Sequence, residues 1–255
     1  MTKQQGEQIR QDNLQDSRAV KFDCVSKIYT LYSSERQRFF SLFHKSKSIK
    51  THQALHDVSF EIKRGEAVGF IGSNGAGKST LLKLATGVAF PTSGEVEING
   101  NIAALLELKA GFASDLTGRE NIYLKGYILG CTKEEIATME SDIIEFAELG
   151  EYIDQPLRTY SSGMKVRLGF AVNVNTNPDI LIVDEALSVG DKYFKAKCNN
   201  KIRSLVDSGV TVLFVSHSMN AVKEICERVI YLKKGRIVFD GPSKEAIAIY
   251  GKSKK

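Results

Sequence analysis

Eight consecutive residues carry the clearest chemistry in this chain. Gly72-Ser73-Asn74-Gly75-Ala76-Gly77-Lys78-Ser79 fits the pattern G-x-x-x-x-G-K-[ST]. Glycine at three of these positions lets backbone N–H groups converge on phosphate oxygens, and a helix starting at the end of the run adds the positive end of its dipole. Lys78 reaches the outer phosphates, Ser79 can hold a divalent cation, and Thr80 offers a further hydroxyl to the inner phosphates. The motif works only between a strand and a helix. The apolar run Ala67 to Ile71 precedes it and a helical pattern starts near Lys78, so a chance glycine-rich turn is set aside.

A second acidic element belongs at the end of a buried strand. Ile180-Leu181-Ile182-Val183 leads into Asp184, which is placed to face a nucleotide-bound magnesium ion. Glu185 follows it, where a carboxylate can polarise a water in line with a terminal phosphate; the alternative is a solvated turn residue. Val212 to Val215 is another buried strand with Ser216 and His217 at its carboxyl end, where open parallel sheets bind ligands. A lone histidine is more often structural than catalytic, so His217 carries no role on position alone.

These residues need a scaffold. Short β-type runs alternate with helical patterns, as in an α/β fold with a sheet covered by helices. Strands are expected at Val58 to Ile62, Ala67 to Ile71, Glu95 to Ile98, Ile102 to Leu106, Ile180 to Val183, Val210 to Val215, Val229 to Leu232 and Ile237 to Phe239. From about residue 116 to 176 the pattern turns helical: Thr132 and Glu135 form a capping box, and Ile136, Met139, Ile143, Ile144 and Ala147 recur at helical spacing. Residues from about 30 to 53 read as an amphipathic basic insertion, with Arg36, Arg38, Lys45, Lys47 and Lys50 among Phe39, Phe40, Leu42, Phe43 and Ile49. A helix is expected around Ala246 to Tyr250. Residues 1–18 are expected to form a loose polar tail, 19–251 one domain, and 252–255 a basic tail.

Composition narrows the class. At 255 residues and 42% hydrophobic content, one substantial core suffices. No apolar run reaches the roughly 18 residues a membrane helix needs, and the polar N-terminus does not read as a signal peptide. Cys24, Cys131, Cys198 and Cys226 show neither metal-ligand nor disulfide spacing, which fits a reducing cytosol. A net charge of +5 does not indicate nucleic-acid binding.

Tyr160-Ser161-Ser162-Gly163-Met164 precedes a helix over Lys165 to Asn175 and lies upstream of the Asp184 strand. With the phosphate loop, the Ile180 to Glu185 strand, Ser188-Val189-Gly190-Asp191 and His217 in this order, the chain resembles an ABC transporter ATP-binding subunit from about Val20 to Tyr250. The resemblance implies the P-loop ABC ATPase fold: a mixed sheet, a helical subdomain and a small antiparallel β portion. It implies ATP and Mg2+, and a head-to-tail dimer with a second copy, each ATP lying between one copy's phosphate loop and the other's Ser161, Ser162 and Gly163. By the same resemblance Glu185 is the general base, His217 a γ-phosphate sensor, Asp191 a contact across the dimer and Tyr29 the aromatic stacked on adenine. Tyr32 is the alternative to Tyr29, and core packing the alternative for either.

Ser162 stands where the signature usually has Gly, Met164 where it has Gln, and Ala186 where Pro is common. The magnesium-contacting Gln expected after the Ile102 strand is absent, and Glu107 occupies about that place. The stretches Ala103 to Glu107, Leu116 to Ile122 and Tyr160 to Lys165 are similar to the branch that exports polysaccharides and teichoic acids across bacterial membranes. That branch implies an integral membrane permease, present in two copies, and a peripheral place at the cytoplasmic face of the cell membrane. The basic insertion would then lie against the permease or the anionic leaflet, or simply cover a sheet edge. A soluble ABC ATPase acting on nucleic acid or ribosomes is the alternative. Such proteins usually carry paired cassettes or a long coiled coil, and neither is seen.

Overall fold

Apolar runs form the inner strands, and side-chain caps at Thr117, Thr132, Ser161 and Ser218 open several of the helices. A computed structural model describes residues 18–32, 50–106, 108–184, 192–216 and 218–253. The chain runs β1 (Arg18–Leu31), β2 (Lys50–Lys63), β3 (Ala67–Ile71), α1 (Lys78–Ala85), β4 (Ser93–Ile98), β5 (Ile102–Ala104), α2 (Gly118–Ile128), α3 (Lys133–Ala147) and α4 (Ser162–Asn175). It continues through β6 (Ile180–Val183), α5 (Lys192–Asp207), β7 (Thr211–Val215), α6 (Met219–Ile225), β8 (Arg228–Lys233), β9 (Arg236–Pro242) and α7 (Ser243–Lys252). Two compact units divide these elements, one built chiefly from Ile62–Gly69 and Asn99–Arg228, the other from Val20–Glu61, Phe70–Ile98 and Val229 onward.

In the first unit β5, β6 and β7 pair in parallel, with Ala103 beside Leu181 and Ile182 beside Leu213, and β3 follows β7 in the strand order. β6 and β7 are buried along their whole length, which is why they read as unbroken apolar runs rather than alternating ones. Parallel pairing brings the carboxyl ends of β5, β6 and β7 to one edge, so Leu105, Asp184 and Ser216 emerge on the same side. The helices α2, α3 and α4 close over their own core of Ile122, Ile136, Ile143, Leu168, Ala171 and Val172. Two capping boxes open α2 and α3, Thr117 with Glu120 and Thr132 with Glu135. Arg119 of α2 ties the group together, meeting Glu140 of α3 and donating from Nε to Asp154 at 2.7 Å.

Between β5 and α2, residues 108–117 form a strap whose backbone is held by side chains. The Asn121 side chain, fully buried, accepts from the Ala113 N–H at 2.8 Å and donates to the carbonyls of Ala113, Leu116 and Thr117 at 2.8–3.1 Å. One helical turn on, Lys125 is only 5% exposed; its ammonium donates to the Leu108 carbonyl at 2.8 Å and lies 4.8 Å from the centre of the Phe112 ring. Burial pulls this ammonium down to about 8. From the other side Gly169 of α4 meets the same carbonyl so closely that a Cβ there would stand 2.0 Å from the Leu108 oxygen.

In the second unit, β2, β1 and β4 form a three-stranded sheet in which β1 and β4 run antiparallel. Strand β1 falls outside the strands expected from sequence: its register with β4 shifts between Asp23 and Ser26, around Cys24 with φ 49°, and this bulge breaks the alternation a strand otherwise shows. In this unit β3 is followed by β8 and β9 in the strand order.

Other boundaries also differ from the sequence reading. β5 ends at Ala104, not Leu106, because the chain turns into the strap. α4 begins at Ser162 rather than Lys165, since Ser161 caps it by accepting from the Met164 N–H at 3.2 Å. β1 reaches Leu31 and β2 starts at Lys50, so both ends of the basic insertion are strand and its middle, residues 33–49, lies outside the described residues. Arg18 opens β1, while the rest of the N-terminal tail, 1–17, is likewise outside them. Among the described residues no helix is long and apolar enough to cross a membrane.

Gly169→Ala should therefore destabilise the chain by about 1–3 kcal/mol, since neither the strap carbonyl nor the helix backbone can yield cheaply. Urea unfolding followed by circular dichroism checks this; an unchanged midpoint would mean the strap is loosely held.

Candidate functional site

The phosphate loop sits between β3 and α1. Gly77 caps α1 with φ 109°, and a Cβ at this position would stand 2.8 Å from the Ala54 carbonyl oxygen and 2.7 Å from a Leu55 methyl. Glycine is thus required both by the left-handed backbone and by the close packing of β2. The loop is closed by its own bonds: the Ala76 N–H donates to the Ser73 carbonyl at 3.1 Å, and the Ala76 carbonyl accepts from the Gly235 N–H at 2.9 Å. Lys78 is 7% exposed and donates to the carbonyls of Gly72 at 2.7 Å and Ser73 at 3.1 Å, which anchors an ammonium inside the curl of the loop. Ser73, Asn74, Gly75 and Ser79 face solvent at the mouth, and Thr80 is half-buried.

These features fit a nucleotide's phosphates: a held cation, exposed backbone around Gly75 and the start of a helix converge within one turn of chain. They also fit Mg2+, which is usually held by one or two protein oxygens together with substrate phosphates rather than by a protein cage. Ser79 offers such an oxygen. Among the described residues no three carboxylates, histidines or cysteines cluster as a metal site. In the same unit Tyr29 is half-buried with the Lys27 ammonium 5.1 Å from its ring centre, while Tyr32 is exposed just beyond the end of β1.

The first unit carries the other expected residues. Asp184 stands half-buried immediately after β6. Ser161, Ser162 and Gly163 open α4 and are all exposed, so the first N–H groups of that helix and two hydroxyls face outward. Tyr160 anchors them from behind: its ring is buried, and its hydroxyl donates to the Tyr152 carbonyl. Glu107, Glu185, Asp191 and His217 lie outside the described residues. The sequence pattern does not mark Lys109, whose ammonium donates to Ser162 Oγ at 2.6 Å, nor Asn121 and Lys125 of α2, which hold the strap. No local signal marks them, because each acts on chain that only folding brings near.

The four cysteines are free, with Cys198 and Cys226 pushed up to about 12 by burial, so neither is a nucleophile at neutral pH.

A family model described as "ABC transporter" matches residues 55–188, just over half of the chain. The chain belongs to the ABC transporter family. Among curated relatives, it is 46% identical over 231 residues to the teichoic acids export ATP-binding protein TagH of Bacillus cereus, covering 91% of this chain and 42% of that protein. It is 46% identical over 237 residues to the O-antigen export system ATP-binding protein RfbB of Klebsiella pneumoniae, covering 91% of this chain and 96% of that one. The chain thus spans less than half of the first relative and nearly all of the second. A solved dimeric ATP-binding cassette in a post-hydrolysis state, bound to ADP and Pi, superposes with a TM-score of 0.70 at 25% identity, over 88% of this chain and 98% of that one. The expected P-loop ABC ATPase fold and the resemblance to the polysaccharide and teichoic acid exporter branch are both borne out.

Lys78→Ala should weaken ATP binding about tenfold or more, because a charged donor to phosphate is lost from a prearranged loop. Isothermal calorimetry measures this, and an unchanged affinity would remove Lys78 from the site.

Proposed function

We propose that the chain is the ATP-hydrolysing subunit of an exporter that moves a lipid-linked cell-surface polymer, a polysaccharide or teichoic acid, across the bacterial cell membrane with a separate permease. The observation that carries the ATPase part is the outward-facing start of α4. Ser161, Ser162 and Gly163 present hydroxyls and backbone donors to solvent, which is useful for a phosphate brought by another molecule. A head-to-tail pair of chains supplies one, since each phosphate loop would carry an ATP to the α4 start of its partner. The dimeric state of the solved cassette supports this pairing.

In this site the amides of Gly72 to Ser79 and the Lys78 ammonium hold the phosphates of ATP. Mg2+, when bound, neutralises charge on the phosphate oxygens, with Ser79, Asp184 and Glu107 as its candidate protein contacts. Tyr29 stacks on the adenine. Glu185 accepts a proton from the attacking water as its oxygen bonds to the γ-phosphorus and the bond to the bridging oxygen breaks. His217 donates to the γ-phosphate, the partner copy's α4 start binds the same group, and Asp191 touches across the dimer. Closing and opening of the pair drives the permease.

The polymer as cargo rests on the relatives' names, teichoic acids export and O-antigen export. A peripheral place at the cytoplasmic face follows from work with a permease, and the basic stretch of residues 30–53 suits an anionic leaflet.

Glu185→Gln keeps the shape of the site and removes the base. Turnover should fall about 100-fold or more while ATP binding persists, and ATP should trap a dimer visible by size-exclusion chromatography with light scattering. Turnover like that of the parent chain would rule Glu185 out as the base.

A further inference from the structure

We propose that Lys109 is a positioning residue of the signature, acting through Ser162. The inference rests on the composite site described above and adds a residue to it. Lys109 lies in the strap, one residue beyond Leu108, whose carbonyl is held by the Lys125 ammonium at 2.8 Å and packed against Gly169. The Lys109 backbone therefore starts from a fixed point, and its exposed side chain reaches α4, where the ammonium donates to Ser162 Oγ at 2.6 Å.

The two serines of the signature are engaged differently. The Ser161 oxygen accepts from the Met164 N–H, so it is committed to capping α4. The Ser162 oxygen accepts from an ammonium, which has three donors and no lone pair to offer in return. The Ser162 proton must then point away from Lys109. Ammonium contact also polarises that O–H into a stronger donor. Around Gly163 there is open space: a Cβ added there would meet only Ser161 Oγ, at 3.8 Å. The hydroxyl proton is thereby aimed where a phosphate from the partner copy can arrive. The pair of Lys109 and Ser162 also joins the strap that follows β5 to the start of α4, so a shift of one is felt by the other.

A double-mutant cycle tests this in the full-length Glu185→Gln chain, with the readout being the chain concentration at half-dimerisation under saturating ATP and Mg2+. Lys109→Met and Ser162→Gly should each raise that concentration about tenfold, the double variant should be no worse than either single one, and Lys109→Arg should recover most of the loss. Melting temperatures recorded on the same samples should stay within a few degrees of the parent, as expected for an exposed residue. Dimerisation of Lys109→Met like that of the parent, or losses that multiply in the double variant, would overturn the role of Lys109 while leaving the composite site intact. Failure of the Glu185→Gln parent to dimerise with ATP would overturn the composite site and this inference together.

Discussion

A lysine ammonium withdrawn from water must find oxygen, and this constraint organises both halves of the molecule. Lys78, 7% exposed, finds the Gly72 and Ser73 carbonyls, and in doing so curls the phosphate loop around a positive charge. Lys125, 5% exposed, finds the Leu108 carbonyl and fixes the strap that leaves β5. An unpaired buried charge costs several kcal/mol, so each loop is shaped by the need to satisfy its lysine. The outcomes differ because the surroundings differ. Lys78 stands at the start of a helix beside exposed backbone, where an anion can join it. Lys125 lies inside the helical group over the Phe112 ring and holds the strap.

From these two anchors the functional surfaces follow. The phosphate loop gathers its donors within one turn of chain, which suits a nucleotide's phosphates. The start of α4 is built differently: Tyr160 is buried behind it, Ser161 caps it, and Ser161, Ser162 and Gly163 are exposed. One surface can hold a triphosphate and the other can receive its end. In the composite site proposed above a second copy joins the two surfaces, a reading supported by membership of the ABC transporter family and by a dimeric cassette among the solved structures that resemble the chain.

How much of this was legible in the sequence depends on the range of the interactions. The phosphate loop is contiguous, so its eight residues announced it. β6 and β7 announced themselves because burial on both faces leaves only apolar residues. The capping box at Thr132 was readable, and the one at Thr117 has the same chemistry but opens a helix with a weaker apolar stripe. β1 was hidden by the bulge at Cys24. The strap was not readable at all, since its partners Asn121, Lys125 and Gly169 lie on two helices and bond to backbone, which any sequence offers. The contact of Lys109 with Ser162 spans 53 residues and left no mark in local pattern.

That an ATP held by one copy is completed by the α4 start of another can be tested most directly by mixing. Lys78→Ala disables the loop and Gly163→Asp places a negative charge where the γ-phosphate should dock, so each variant alone should hydrolyse ATP at background rates. Their heterodimer, however, contains one intact loop facing one intact α4 start. A composite site predicts that mixing the two purified variants restores a substantial part of wild-type turnover, rising with the fraction of mixed dimer. Activity that stays at background after mixing, with mixed dimers verified by light scattering and differential tagging, would contradict it.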